Sequence, residues 1–269
     1  MVEGICVSRK QFIYDGAMTG DASALPRYLE LLWDREVKVR RGPKPGVGIR
    51  DIGAAGVSIA DRDGLDAVSM KAVGAALGMT TMSLYRYVDS KDQLLMVMLD
   101  EAYGRPTLRW GAGEEWRARA HRWSRALADA LVAHPWVVSV PLTAAPLTPN
   151  VLAWTEMGVR ALEATPLGAQ DTLSSLLVLD GFVRNHVRQA MQLGAIGPDG
   201  TPTPDDGSYE STIAAIVDEK RYPALLRAAQ EIRSGEPSEF YGHELAFGLG
   251  VVLDGIAARI DTVVGSDPL

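Results

Sequence analysis

Ser69-Met70-Lys71-Ala72-Val73-Gly74-Ala75-Ala76-Leu77-Gly78-Met79-Thr80-Thr81-Met82-Ser83-Leu84-Tyr85-Arg86-Tyr87-Val88 is the stretch on which the fold of this chain turns. Ser69 can cap a short helix over Met70–Leu77, and Gly78 can close it as a C′ residue. Thr80 can cap a second, over Thr81–Tyr87. Two short helices joined by Gly78-Met79-Thr80 spell a helix-turn-helix. Leu77, Leu84 and Val88 look inward, while Thr81, Met82, Ser83, Tyr85, Arg86 and Tyr87 supply an outer face. A short polar helix flanked by cations can lie in a major groove about 12 Å wide. Lys71 starts the preceding helix and Lys91 the following one, so both can reach phosphates, as can the helix-end N–H groups. The plainer alternative makes Tyr85 and Tyr87 half-buried packing residues.

Working outward, Ile49, Ile52 and Ile59 mark a helix that ends near Asp63-Gly64. Gly53 and Gly56 inside it each cost about 1 kcal/mol of helix propensity against Ala, or else allow a close helix crossing. Ser90 and Gln93 form a capping box for a further helix through Leu94, Leu95, Met98, Leu99 and Ala102, which stops at Gly104-Arg105-Pro106. Ahead of the head, Gly42-Pro43-Lys44-Pro45-Gly46 cannot be helical or a central strand. Arg40, Arg41 and Lys44 therefore sit on an extended basic arm. Such an arm can enter a neighbouring minor groove, or it can be a solvated linker. Before it, Ser23 can cap an amphipathic helix with Leu25, Leu29, Leu32, Trp33 and Val37 on one face and Pro26 in its first turn. That face is expected to dock on the body or on another head. Met1 to Lys10 lack the order of a signal peptide, and Met18 is a second candidate start.

Downstream, spacings of three and four predict helices over Glu114–His134, Asn150–Ala164, Leu167–Leu193 and Ser238 to about Thr262. A short helix fits around Trp136–Val140 between Pro135, Pro141, Pro146 and Pro149, and shorter helices fill Tyr209–Arg233. Gly197 to Gly207, rich in Gly, Pro and Asp, reads as a disordered loop. There is no strand alternation. The expected fold is all-α: a helix-turn-helix head over 46–105, a larger helical domain over 106–269, and an extension over 1–45.

Charge separates the same parts. Of 269 residues, 27 are Lys or Arg and 34 Asp or Glu, yet the segment from Lys38 to Lys91 is net positive and the rest of the chain from Asp92 on is net negative. A basic head on an acidic body suits a nucleic-acid-binding module attached to a domain of another kind. The single cysteine, Cys6, excludes an internal disulfide, and a reducing cytoplasm is expected. No apolar run approaches the roughly 18–20 residues of a membrane span.

Gly64-Leu65-Asp66-Ala67-Val68-Ser69-Met70-Lys71, Ala76-Leu77-Gly78-Met79-Thr80, Ser83-Leu84-Tyr85-Arg86-Tyr87-Val88 and Ser90-Lys91-Asp92-Gln93-Leu94-Leu95 together resemble the DNA-binding domain of the tetracycline-repressor (TetR) family. The likeness spans about Ile49 to Tyr103 and joins four helices, their caps and the basic positions. It implies that the helix containing Thr81, Met82, Ser83, Tyr85 and Tyr87 faces bases or phosphates, and that Met70, Lys71 and Lys91 touch the backbone. It also implies that the rest of the chain binds a ligand and dimerises, with a looser likeness over Trp116–Met191. The family's namesake holds a metal–tetracycline chelate through a histidine after its fifth helix. The comparable stretch here, Trp136 to Thr143, has none, so that effector is not expected.

Trp123, Trp136, Trp154 and Phe182 fall on apolar stripes, either as plain core or as the lining of an effector cavity with Asn185 or His186 as a sparse polar contact. The segments 173–193 and 239–260 are apolar nearly all round and so need burial on all sides. The resemblance assigns them to a dimer interface. Gly42 to Gly48 lacks the ending of a phosphate loop, the four histidines show no His-x-x-x-His pair, and no Gly-x-Ser-x-Gly occurs. No metal or cofactor is expected. The expected function is a homodimeric, ligand-responsive repressor of a palindromic double-stranded operator, acting through a largely apolar effector. A helical enzyme for an apolar small molecule is the alternative.

Overall fold

The computed structural model describes residues 25–35, 46–142, 145–197, 200–204, 208–234 and 239–265. Among them are eleven α-helices, two 3-10 turns and one isolated bridge between Ile196 and Pro202, with no named strand. The helices are α1 (Arg27–Leu32), α2 (Ile49–Asp63), α3 (Met70–Ala76), α4 (Thr81–Leu84), α5 (Lys91–Tyr103), α6 (Trp116–Ala133), α7 (Pro149–Leu162), α8 (Ala169–Gln192), α9 (Ser208–Ile216), α10 (Pro223–Ser234) and α11 (Phe240–Gly265). The 3-10 turns cover Leu65–Ala67 and Pro135–Ser139. The chain divides into two compact units, Met1–Arg119 with Trp136–Ala164, and Ala120–Pro135 with Thr165–Leu269.

In the first unit α2 crosses α5 closely, and the two mid-helix glycines explain how. A Cβ on Gly56 would lie 2.6 Å from Met98 Cγ, and one on Gly53 would lie 3.2 Å from Val97 Cγ1. The helix propensity lost at these positions is the condition for seating Met98, which is fully buried. α1 docks Tyr28, Leu29 and Leu32 on α2 and α5, so its apolar face belongs to its own head. The helix is shorter than its amphipathic pattern suggests. Pro26 stands at its N-cap, and Leu25 and Trp33 stay exposed. Trp33 Nε1 instead donates to the Leu147 carbonyl at 2.9 Å. Ser23, Val37 and the basic residues Arg40, Arg41 and Lys44 lie outside the described residues.

Polar contacts join the head helices to the 136–162 segment of the same unit. Trp136 Nε1 donates to Asp61 Oδ1 at 2.7 Å. The Asn150 backbone N–H donates to Asp100 Oδ1 at 2.7 Å, which places a buried carboxylate at the N-terminus of α7. Trp154 Nε1 donates to the Tyr103 and Gly104 carbonyls at 3.2 and 3.1 Å, satisfying acceptors that the end of α5 leaves open.

In the second unit α8 packs on α11, with Phe182 against Gly248, His186 against Tyr241 and Asp171 paired with Arg259. Leu176, Leu179, Val183 and Val187 of α8 and Leu245, Leu249, Leu253 and Ile256 of α11 are buried. The disorder expected over Gly197–Gly207 does not hold for its described part. Gly197 N–H donates to the Thr201 carbonyl at 2.8 Å and Thr203 N–H to that of Ala195 at 2.9 Å, a hydrogen-bonded turn. Gly200 has φ +80°, and a Cβ there would lie 2.8 Å from Val132 Cγ1, so the turn sits directly on α6. Composition alone missed it because its ordering comes from a helix about 70 residues earlier.

Candidate functional site

The helix-turn-helix is built by caps and a bare backbone contact. Ser69 Oγ accepts from the Ala72 N–H at 3.1 Å, which starts α3. Gly78, at φ +64°, ends it: its N–H donates to the Ala75 carbonyl and that of Met79 to the Gly74 carbonyl, the paired bonds of a Schellman closure. A Cβ on Gly74 would lie 3.1 Å from the Met79 carbonyl oxygen, so glycine there brings the turn against α3. Thr80 Oγ1 then accepts from the Ser83 N–H at 3.2 Å and starts α4. Regular α-helix stops at Leu84 and the chain continues in turns through Tyr87, shorter than the Thr81–Tyr87 span that the pattern suggests. Ser90 Oγ accepts from the Gln93 N–H, while Gln93 Oε1 reaches back to the Asp89 N–H, one residue before the usual capping-box partner.

Leu84 and Val88 are completely buried and fix the roll of α4. Met82 is then 76% exposed and Tyr85 44%, and Thr80, Arg86, Lys71 and Lys91 are exposed with them. Thr81 and Ser83 are half-buried. Two of the expected contact residues stand apart. Met70 is buried, so its side chain belongs to the core and only its backbone, at the first turn of α3, remains to meet a phosphate. The half-buried Tyr87 donates its hydroxyl to the Val47 carbonyl at 2.9 Å, tying the start of α2 to the end of the recognition turn.

The six residues expected around an effector divide between the units. Trp136 and Trp154 fall in the first and spend their indole N–H groups on Asp61 and on the end of α5. Trp123, Phe182, Asn185 and His186 fall in the second. Asn185 is exposed there and accepts from Arg188 Nη2 at 2.7 Å, so it is a surface residue of this chain and not the inward polar contact expected. Phe182 and His186 stack at 5.9 Å between centroids, and His186 stacks on Tyr241 at 4.9 Å. His186 Nε2 lies 2.9 Å from the Tyr241 carbonyl oxygen. A carbonyl only accepts, so Nε2 carries the proton. Burial holds the imidazole below its ordinary pKa, which makes the neutral ring, with Nδ1 as an acceptor, the ordinary form. Tyr241 went unnoticed in the sequence because no spacing links it to His186, 55 residues away. Among the described residues no group of His, Cys, Asp or Glu could hold a metal ion, and no helix is long and apolar enough to cross a membrane.

A capped helix-turn-helix with an outward recognition face, joined to a larger helical domain, defines a class of DNA-binding transcriptional regulators. Residues 52–97 match the model of bacterial regulatory proteins of the tetR family, and residues 111–260 match that of the tetracyclin repressor-like C-terminal domain. The HTH-type transcriptional repressor DrrR1 of Streptomyces coeruleorubidus is 31% identical over 247 residues, covering 90% of this chain and 89% of that protein. The TetR family protein ActR of Streptomyces coelicolor, in complex with actinorhodin, superposes with a TM-score of 0.67 over 80% of this chain and 99% of that one, at 21% identity. The chain belongs to the tetR family of bacterial transcriptional regulators. The enzyme alternative is thereby set aside, since the matching families and relatives are regulators.

Proposed function

We propose that the chain acts as a homodimeric repressor of a near-palindromic operator and that a small, largely apolar effector releases it. The observation that carries this reading is the outward face of α4, with Met82 and Tyr85 exposed between Lys71 and Lys91 while Leu84 and Val88 are sealed in the core. In this reading Thr81, Met82, Ser83, Tyr85 and Arg86 meet base edges or adjacent phosphates. Thr80, Lys71, Lys91 and the Met70 backbone hold the phosphate strands. Tyr87 anchors the head, and Arg40, Arg41 and Lys44 serve as a minor-groove arm. DrrR1 is named a repressor, and ActR is a TetR family protein with a small molecule bound, which supports repression and an effector here.

A second copy has a surface to meet. Leu177 is 71% exposed and Phe247 66%, with Leu173 and Val178 on α8 and Val251 and Val264 on α11 also open. Gly181 and Gly255 lie on these helices with nothing near a Cβ, so packing within the chain gives no reason for their propensity cost. A two-fold contact through α8 and α11 would cover this apolar face and use the close approach that the glycines permit. Such a dimer presents two recognition helices to half-sites about 34–36 Å apart, or a multiple of that. An effector lowers operator affinity only as far as it binds the released conformer more tightly than the bound one. Footprinting on the duplex around the protein's own gene tests the reading, because absence of protection at moderate salt would remove it.

A further inference from the structure

The geometry points to Tyr241 Oη as the donor that recognises the effector, which we infer to be a planar aromatic molecule carrying a carbonyl oxygen, set against the Phe182–His186–Tyr241 stack. This rests on the effector-binding reading above and gives it a residue and a ligand class. Three rings in a row, tilted by only 19° and 26° from one another, form a wall on which a further flat ring adds at offset-stacking distance. The wall is held in place from both sides. A Cβ on Gly248 would lie 2.2 Å from Phe182 Cζ, so the bare backbone of α11 seats that ring. At the other end the His186 hydrogen bond to the Tyr241 carbonyl fixes the imidazole.

The phenol at the end of this wall lacks what a buried hydroxyl normally has. Tyr241 Oη is shut off from solvent and has no hydrogen-bond partner among the described residues, and Ser124 Oγ on α6 is in the same condition. Buried polar groups are almost always paired, so an orphan on an ordered wall calls for a partner that the chain itself does not supply. Burial is the main cause that pushes the Tyr241 hydroxyl up to about 12, with Asp129 of α6 adding to it and Arg125 opposing. Tyr241 therefore stays a neutral O–H donor, and the complementary ligand atom is an acceptor. A carbonyl on a flat ring system matches both the donor and the wall, whereas a flexible fatty chain matches neither.

The test uses the full chain and two planar tricycles, 9-fluorenone and fluorene, which differ by a carbonyl against a methylene. Binding is followed by quenching of tryptophan fluorescence in the parent, Tyr241→Phe and Phe182→Leu. Expected are tighter binding of fluorenone than of fluorene by the parent and a five- to tenfold loss of fluorenone affinity, roughly the worth of one hydrogen bond, in Tyr241→Phe. Fluorene binding should stay within about twofold in that variant, and both probes should weaken in Phe182→Leu. Without ligand, Tyr241→Phe should melt no lower than the parent, because the hydroxyl it removes has no partner. A lowered melting temperature would show the hydroxyl held by ordered water and would overturn the inference. So would unchanged fluorenone affinity in Tyr241→Phe, equal loss of both probes there, or no binding of fluorenone by the parent up to its solubility limit. A parent that protects its operator yet binds neither probe loses this inference and remains a regulator. A parent that binds fluorenone through Tyr241 but protects no duplex keeps the site and loses the operator reading.

Discussion

In the proposed reading Tyr85 and Lys91 meet the same duplex and are expected to answer to different properties of it. Tyr85, exposed at the C-cap of α4, meets base edges in that reading, so Tyr85→Ala should weaken the operator by about 1–3 kcal/mol more than random duplex. Lys91, at the first position of α5, meets only backbone charge in this reading. Lys91→Ala should weaken operator and random DNA alike and lower the salt slope by about one unit. Titrations at several salt concentrations check both, and an unchanged slope in Lys91→Ala would remove its phosphate role. Gly56 sets a stability limit of its own. Gly56→Ala gains up to about 1 kcal/mol of helix propensity but drives its Cβ into Met98, where overpacking costs typically 1–3 kcal/mol. The variant should melt below the parent. Shortening Met98 to Val on that background should return part of the loss, in a cycle read by urea unfolding.

Among the elements, α1 joins the head through packing that no single stretch of sequence displays. α1 buries Tyr28, Leu29 and Leu32 on its own head and fixes where the chain leaves at Arg35, before Gly46 leads into α2. In the proposed reading Arg40, Arg41 and Lys44, which lie between Arg35 and Gly46 in the sequence, serve as the minor-groove arm. Deleting residues through Ala17 should change operator affinity little, whereas removal through Lys44 should weaken it. The pair Arg40→Ala and Arg41→Ala should weaken it as well, most at A·T-rich flanks, with dimerisation unchanged. Equal affinity of the double variant and the parent at low and moderate salt would reduce the arm to a linker.

At the scale of the whole molecule, the open apolar face of α8 and α11 sets the expected oligomer. Replacing Leu177 and Val251 by Glu places carboxylates where a two-fold contact would bury them, while each side chain is exposed in the single chain. Sedimentation should show the variant as a monomer with the helical content of the parent. Full-operator affinity should fall toward that of an isolated half-site. A dimeric variant with unchanged operator affinity would move the interface elsewhere.

Local chemistry determined the order of helices. Ser69, Gly78, Thr80 and Ser90 act within four residues of themselves, so the helix-turn-helix and its caps could be read directly, as could the all-α class from periodicity. The outward direction of Met82 and Tyr85 followed from the same register. What only tertiary structure decided joins residues far apart in the chain: Gly56 under Met98, Tyr87 on Val47, Trp136 on Asp61, Gly200 on Val132, and His186 on Tyr241. Each of these depends on which apolar faces meet, and periodicity states that a face is apolar without naming its partner. For that reason the apolar stripes favour core for the tryptophans but leave a pocket open, and only the structure shows Trp136 and Trp154 spent inside the first unit. The orphan hydroxyl of Tyr241 had no signal in the sequence at all, because a missing hydrogen bond exists only once every neighbour has been placed.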